Sequence, residues 1–261
     1  MSAASKPFSM QSPHNLQVRT RKVGDPGLMR NLLRTLIIGV LALFALGILS
    51  ACSSGSSTES SQGSVTPSTS AAPAPFPPSA KYMADMEADG KKMSIGIAVD
   101  GAKVTAYACN GVDDEAWFFG DQSDGAIDIT SKFRDTLSAS FNGTDVTGDL
   151  TMNGTRYGFT AAAVSAPAGM YTAALDGTRA SWIVRPDGSV TGVQFNGGIT
   201  GRDFEQAELQ QLNTAQFQAQ VRSKRILQQA SQVINLQNGT LASKINGRNV
   251  IGNIVTGNTR F

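Results

Sequence analysis

Two cysteines, Cys52 and Cys109, and one histidine, His14, are all that the chain offers in thiol and imidazole chemistry. A zinc, haem or iron–sulfur centre needs more such ligands, and a triad with histidine as base needs a histidine inside the folded part. No metal site, no cofactor and no catalytic residue is therefore expected. The acids Asp113, Asp114, Glu115, Asp121, Asp124 and Asp128 would suit Ca²⁺ or a glycoside-hydrolysing carboxylate pair, but their spacing is not that of an EF-hand loop. A solvated loop face accounts for them more simply. Cys109 has no histidine to activate it and reads as a small buried hydrophobe. No glycine-rich phosphate loop lies between a strand and a helix.

Binding is better served than catalysis. Trp117, Phe118 and Phe119 are consecutive, so in a strand alternate rings must face opposite ways. If one face is core, at least one ring is left for solvent or a ligand. With Trp182 and Tyr107 these residues are the candidates for an apolar ligand pocket or a docking patch. Arg222, Lys224 and Arg225 form a short basic cluster that reads as a solvated helix face or, alternatively, as a contact for anionic lipid headgroups.

The elements that position these residues read as β-strands. Asp-Gly or Asn-Gly pairs, the strongest short-range hairpin signal, fall at Asp100-Gly101, Asn110-Gly111, Asp124-Gly125, Asn142-Gly143, Asn153-Gly154, Asp176-Gly177, Asp187-Gly188 and Asn196-Gly197. Between them lie the expected strands Met93–Val99, Lys103–Cys109, Glu115–Gly120, Ala126–Thr130, Thr136–Phe141, Asp145–Met152, Thr155–Val164, Met170–Leu175, Thr178–Arg185 and Ser189–Phe195. The fold class is mainly β, an antiparallel meander forming a small barrel or sandwich. The barrel is preferred because closure removes edge strands. The runs Asp100-Gly101-Ala102-Lys103-Val104-Thr105 and Asp187-Gly188-Ser189-Val190-Thr191 echo each other weakly; shared turn-rich composition accounts for this most simply, and two pseudo-symmetric halves of one barrel are the alternative.

After Gly201 no glycine or proline occurs until Gly239, and Asp203 stands ready as an N-cap. A long C-terminal helix is expected, with a narrow apolar stripe through Leu209, Leu212, Ala215, Ala219, Ile226, Ala230 and Val233 suited to covering a mouth of the barrel or, alternatively, to a protein partner or self-association. A short tail follows, with a last hairpin about Asn246-Gly247.

Ahead of the β-domain, Leu36 to Ala51 form a 16-residue uncharged run preceded by Arg30 and Arg34 and ended by Cys52. That is shorter than the roughly 20 residues a membrane-spanning helix needs. Leu49-Ser50-Ala51-Cys52 resembles the lipobox of bacterial lipoproteins, and the resemblance implies cleavage before Cys52 and a diacylglyceryl group on its thiol. The leader before this run is long for that family. A start at Met29 would shorten it, and the alternative is an uncleaved single span; either way the lysines and arginines ahead of the run hold that end in the cytoplasm. The organisation is 1–51, n-region and signal or anchor; 52–79, lipidated cysteine and disordered Ser/Pro-rich tether; 80–200, β-domain; 201–261, helix and tail. Six basic residues and Asp25 precede Cys52, so the remainder is mildly acidic and no nucleic-acid partner is expected. The expected function is a membrane-anchored, extracytoplasmic, non-catalytic binding domain. A carrier holding an apolar or lipid-like ligand inside the barrel is the alternative.

Overall fold

The Asp-Gly and Asn-Gly pairs do two different jobs. In the computed structural model, which describes residues 72–237 and 239–261, Asp124-Gly125, Asn153-Gly154 and Asp176-Gly177 have positive φ at both residues, giving the turn whose twist matches its strands. At Asn110-Gly111, Asn142-Gly143 and Asp187-Gly188 only the glycine is left-handed. There the preceding side chain accepts backbone N–H groups: Asn110 Oδ1 takes those of Val112, Asp113 and Asp114, and Asn142 Oδ1 those of Thr144 and Asp145. These Asx turns make wider loops.

Eight strands follow in order: β1 (Ser79–Ala88), β2 (Lys91–Asp100), β3 (Lys103–Cys109), β4 (Glu115–Ser123), β5 (Ala126–Thr130), β6 (Thr136–Phe141), β7 (Val146–Met152) and β8 (Thr155–Ala163). They form a closed antiparallel barrel, sealed where Tyr82 and Met83 of β1 pair with Ala163 and Ala162 of β8. β1 precedes the first strand expected from sequence; its signal is Asp89-Gly90, left-handed at both residues. Alternation sends Met93, Ile95, Ile97 and Val99 inward with Phe118, Leu137, Leu150 and Tyr157. An eight-stranded barrel is just wide enough for such side chains to fill.

The mouth is covered by the end of the proline-rich segment. Ala74 N–H donates to the Phe141 carbonyl at 2.8 Å, and the Phe76 ring stacks on Phe141 at 4.9 Å between centroids. The leader, Cys52 and the rest of the tether lie outside the described residues.

The remaining strands form a second, seven-stranded antiparallel sheet: β9 (Gly169–Leu175), β10 (Thr178–Val184), β11 (Val190–Phe195), β12 (Leu227–Gln229), β13 (Asn235–Gln237), β14 (Thr240–Ile245) and β15 (Arg248–Ile254), in the order β12-β11-β10-β9-β15-β14-β13. β14 and β15 are the expected hairpin about Asn246-Gly247. One face, with Met170, Ile183 and Val193, packs on the outer residues Ala98, Tyr107, Cys109 and Trp117 of the barrel. The layers meet closely, since a Cβ on Gly96 would lie 2.5 Å from Met170 Cγ. The echoing hairpins β2–β3 and β10–β11 thus belong to different sheets and face each other across this layer; they are not halves of one barrel.

The long C-terminal helix does not form. The segment makes two short helices, α1 (Gly201–Leu209) and α2 (Thr214–Gln220), and a 3₁₀ turn at Arg222–Lys224, and then returns to the sheet as β12, where Leu227 pairs with Phe195. Gln211 turns left-handed between the helices. Asn213 then caps α2, its Oδ1 accepting the Gln216 N–H at 3.0 Å while Gln216 Oε1 accepts the Asn213 N–H at 3.1 Å. That reciprocal box starts a helix wherever it stands, so absence of glycine and proline did not imply continuity. The buried face is not the expected stripe: Ala207, Phe217 and Val221 are buried against Phe133, Ile199 and Phe204 of the same chain, whereas Leu209, Ala215, Ala219 and Ile226 of the stripe are exposed and Leu212 is partly buried.

Candidate functional site

β4 runs through the layer between barrel and sheet, and its alternation decides which of its residues can act. Phe118 points into the barrel and is fully buried. Glu115, Trp117 and Phe119 point outward, where β10 brings Arg179, β11 brings Phe195 and the C-terminal segment brings Phe261. Arg179 Nη2 donates to Glu115 Oε1 at 2.7 Å. Its guanidinium carbon lies 5.7 Å from the Trp117 ring centroid, 5.4 Å from that of Phe195 and 4.4 Å from that of Phe261. Trp117 is stacked with Phe119 at 5.7 Å, and Phe261 meets both rings edge-on.

These groups line a cavity of about 380 Å³. β4 is its floor and the N-terminal turn of α1, with Thr200, Gly201 and Phe204, its roof. Lys132 and Phe133 from the β5–β6 loop close one side, the Lys132 ammonium lying 4.4 Å from the Phe204 centroid. Three cations, Lys132, Arg179 and Arg225, face one carboxylate, Glu115. Three larger depressions are more open to solvent: about 550 Å³ beside Asp85 and Arg185 and about 770 Å³ beside Trp182, both lined mainly by polar atoms, and about 450 Å³ on the far side of Arg179, Phe195 and Phe261, lined mainly by apolar ones.

Hydrogen bonding singles out the smaller cavity. Among the described residues five buried side-chain polar atoms have no partner: Tyr107 Oη, Glu115 Oε2, Trp117 Nε1, Arg179 Nε and Gln194 Oε1. The first four belong to adjoining residues. Leaving a buried donor or acceptor unmade costs about 1–3 kcal/mol, and native structures tolerate few such atoms without a reason. Tyr107 stacks behind Trp117 at 4.5 Å and is fully buried. Burial, with Cys109 and Glu115 beside it, raises its phenol well above the usual range. Burial likewise pushes the Cys109 thiol up to about 12, which leaves it neutral and unreactive.

The basic cluster is not an exposed patch, contrary to its reading as a headgroup contact. Arg222 and Arg225 are buried, with side-chain exposures of 5% and 4%. Arg222 donates to Asp114 at 2.7 Å and to Asp135 at 3.3 Å. Arg225 donates to the Glu115 carbonyl at 2.6 Å and to Asp114 at 3.2 Å. Lys224 remains half in solvent, paired with Asp203 at 2.5 Å. The cluster fixes the α2 end of the segment against the floor of the cavity. Asp135 also accepts the Asn153 N–H at 3.1 Å; burial nevertheless raises its carboxyl pKa, with Arg222 pulling the other way. Burial and the neighbouring Arg222 together lower that of Arg225.

Of the aromatic candidates, Trp117 and Phe119 line the cavity, Tyr107 backs it and Phe118 is barrel core. Trp182 lies on the other face of the second sheet, its Nε1 donating to the Ser231 carbonyl at 3.0 Å. The two tryptophans therefore do not share a pocket. Of the acids, Asp114 and Glu115 hold arginines and Asp121 pairs with Lys103. Among the described residues no group of three or more His, Cys, Asp or Glu is placed to hold a metal ion, and no helix is long and apolar enough to cross a membrane. Sequence reasoning missed Arg179, Phe195 and Phe261, which only the pairing of β10 with β11 and the return of the C-terminal segment bring to β4. No protein-family model, no curated protein and no solved structure matches the chain.

Proposed function

We propose that this chain is a lipid-anchored extracytoplasmic binding protein, tethered to the cell membrane through Cys52, and that it holds a small organic molecule in the cavity over Trp117 and Phe119. One observation carries the binding half of this reading: four of five unpartnered buried polar atoms adjoin at Tyr107, Glu115, Trp117 and Arg179. They stand beside a concave, aromatic-lined space, the usual composition of a small-molecule site. A ligand within the barrel is less favoured, because the interior is occupied by its own side chains. The anchoring half rests on the lipobox-like Leu49-Ser50-Ala51-Cys52.

Native mass spectrometry of the protein purified from its own membranes tests both halves. The expected mature chain begins at Cys52 with a diacylglyceryl increment and releases a small molecule on activation. Cys52→Ala should lack the lipid, and Arg179→Glu should keep the lipid and lose the molecule. An intact leader without lipid would overturn the anchor in favour of a single span. A small molecule retained equally by Arg179→Glu would move the binding site elsewhere.

A further inference from the structure

The cavity specifies a ligand class, and this deepening rests on its being the binding site. Its walls are planar: Trp117 and Phe119 lie with rings 9° from parallel. The chain itself shows what this surface accepts. The Phe261 ring, 59% exposed as a residue, stands edge-on to both at 83° and 86°, with the Arg179 guanidinium 4.4 Å from its centroid. Edge-to-face packing and a cation over a ring are the preferred arrangements for aromatic partners.

The polar end is specified separately. Arg179 Nε and Trp117 Nε1 are fully buried donors beside the equally buried acceptor Glu115 Oε2, so they are not the atoms that a ligand in the cavity reaches. Glu115 Oε1 engages Arg179 through Nη2, on the edge that Nη2 shares with Nε, which leaves Nη1 for a second acceptor. Arg225 is matched by Asp114 and Arg179 by Glu115, which leaves Lys132 as the lining cation without a carboxylate partner among the described residues. An anionic acceptor is therefore favoured over a neutral one, since a bond to a charged group is worth roughly twice a neutral one. We infer that the cavity binds a flat aromatic carboxylate, its ring against Trp117 and Phe119 and its carboxylate accepting from Arg179 Nη1. Larger amphiphiles do not suit a space of about 380 Å³.

The chain has only two tryptophans, which makes the test direct. In the full chain in mild detergent, ¹H–¹⁵N spectra contain two indole N–H resonances, and Trp117→Phe assigns them. Titration with 2-naphthoate should move the Trp117 indole and leave that of Trp182, which is bonded to Ser231. The neutral isostere 2-naphthamide should bind about tenfold to a hundredfold more weakly, the range for one charged hydrogen bond. Arg179→Gln should remove that preference while retaining both indole signals as evidence of folding. If naphthamide binds as tightly as naphthoate in the unmodified protein, the anion assignment is wrong although the site stands. If neither moves the Trp117 indole, the cavity is not the binding site and both readings fall.

Discussion

The barrel and the second sheet are built from the same local signals, yet they end in opposite ways. In β1–β8 every strand finds two neighbours, and the interior is consumed by side chains. In β9–β15 the order leaves β12 and β13 as edges, each three residues long, and one face must find another surface to bury. It finds the outside of β2–β4. Closure therefore does more than protect edges: it fills the inside of the barrel and turns the outer residues of β4 into the wall of a site. The lesson is sharpest at two adjacent residues, Phe118, which is core, and Phe119, which lines the cavity.

The largest expected effects fall on the barrel side of that contrast. Phe118→Ala should cost about 3–5 kcal/mol of folding stability, whereas Phe119→Ala should cost far less and weaken naphthoate binding instead. Urea unfolding of the two variants checks this; equal losses would mean that the faces of β4 are not distinguished as described. Removing Arg222 strikes the seam between barrel and helices. Arg222→Met leaves Asp135 buried without its main cation and should cost about 3–5 kcal/mol near neutral pH.

The sign of its pH dependence follows from Asp135. Its folded pKa is raised by burial, so the folded protein binds the extra proton between that value and the ordinary one of 3.8. Stability relative to the ionised state then rises as pH falls through the folded pKa and levels off below the unfolded one. The Arg222→Met defect should accordingly shrink on acidification, which unfolding at neutral and mildly acidic pH measures. A defect that grows instead would show that Asp135 is not the buried acid responsible.

A smaller effect belongs to the contact of the layers. Gly96→Ala places a methyl against Met170 and should cost about 1–3 kcal/mol. Because the obstacle is a flexible side chain, Met170→Ala in the same protein should recover part of the loss. Double-mutant unfolding gives the coupling, and strict additivity would mean that the layers do not touch there. The smallest effect is local: Lys224, and then Thr200, hold the Asp203 carboxyl down to about 2. Its contribution is present above the ordinary 3.8 and lost as pH falls through about 2, which a ¹³C carboxyl titration would follow.

The sequence made the strands legible because turn chemistry is local. All ten strands expected from Met93 to Phe195 are present within a few residues, including Val146–Met152, where Val146, Leu150 and Met152 face inward and Thr147, Asp149 and Thr151 are only partly buried. The helix was misread because its stopping signals are not glycine or proline but the Asn213–Gln216 box and the partners waiting for Leu227 in β11. Half of the site was legible, since three consecutive aromatics in a strand cannot all face the core. The other half was not: Arg179 reaches Glu115 from 64 residues away, and Arg225, conspicuous as a charge, proves to be buried structure. Local patterns specify faces; the meeting of faces from different sheets depends on long-range register.

The central claim is that this β-unit binds at its outer junction and not within its barrel. A crystal structure with 2-naphthoate tests it most directly. The account predicts ligand density between Trp117, Phe119 and Arg179, with the carboxylate in hydrogen-bond reach of Arg179 Nη1 and the barrel interior filled by its own side chains. Density among Phe118, Leu137 and Leu150, inside the barrel, would contradict it.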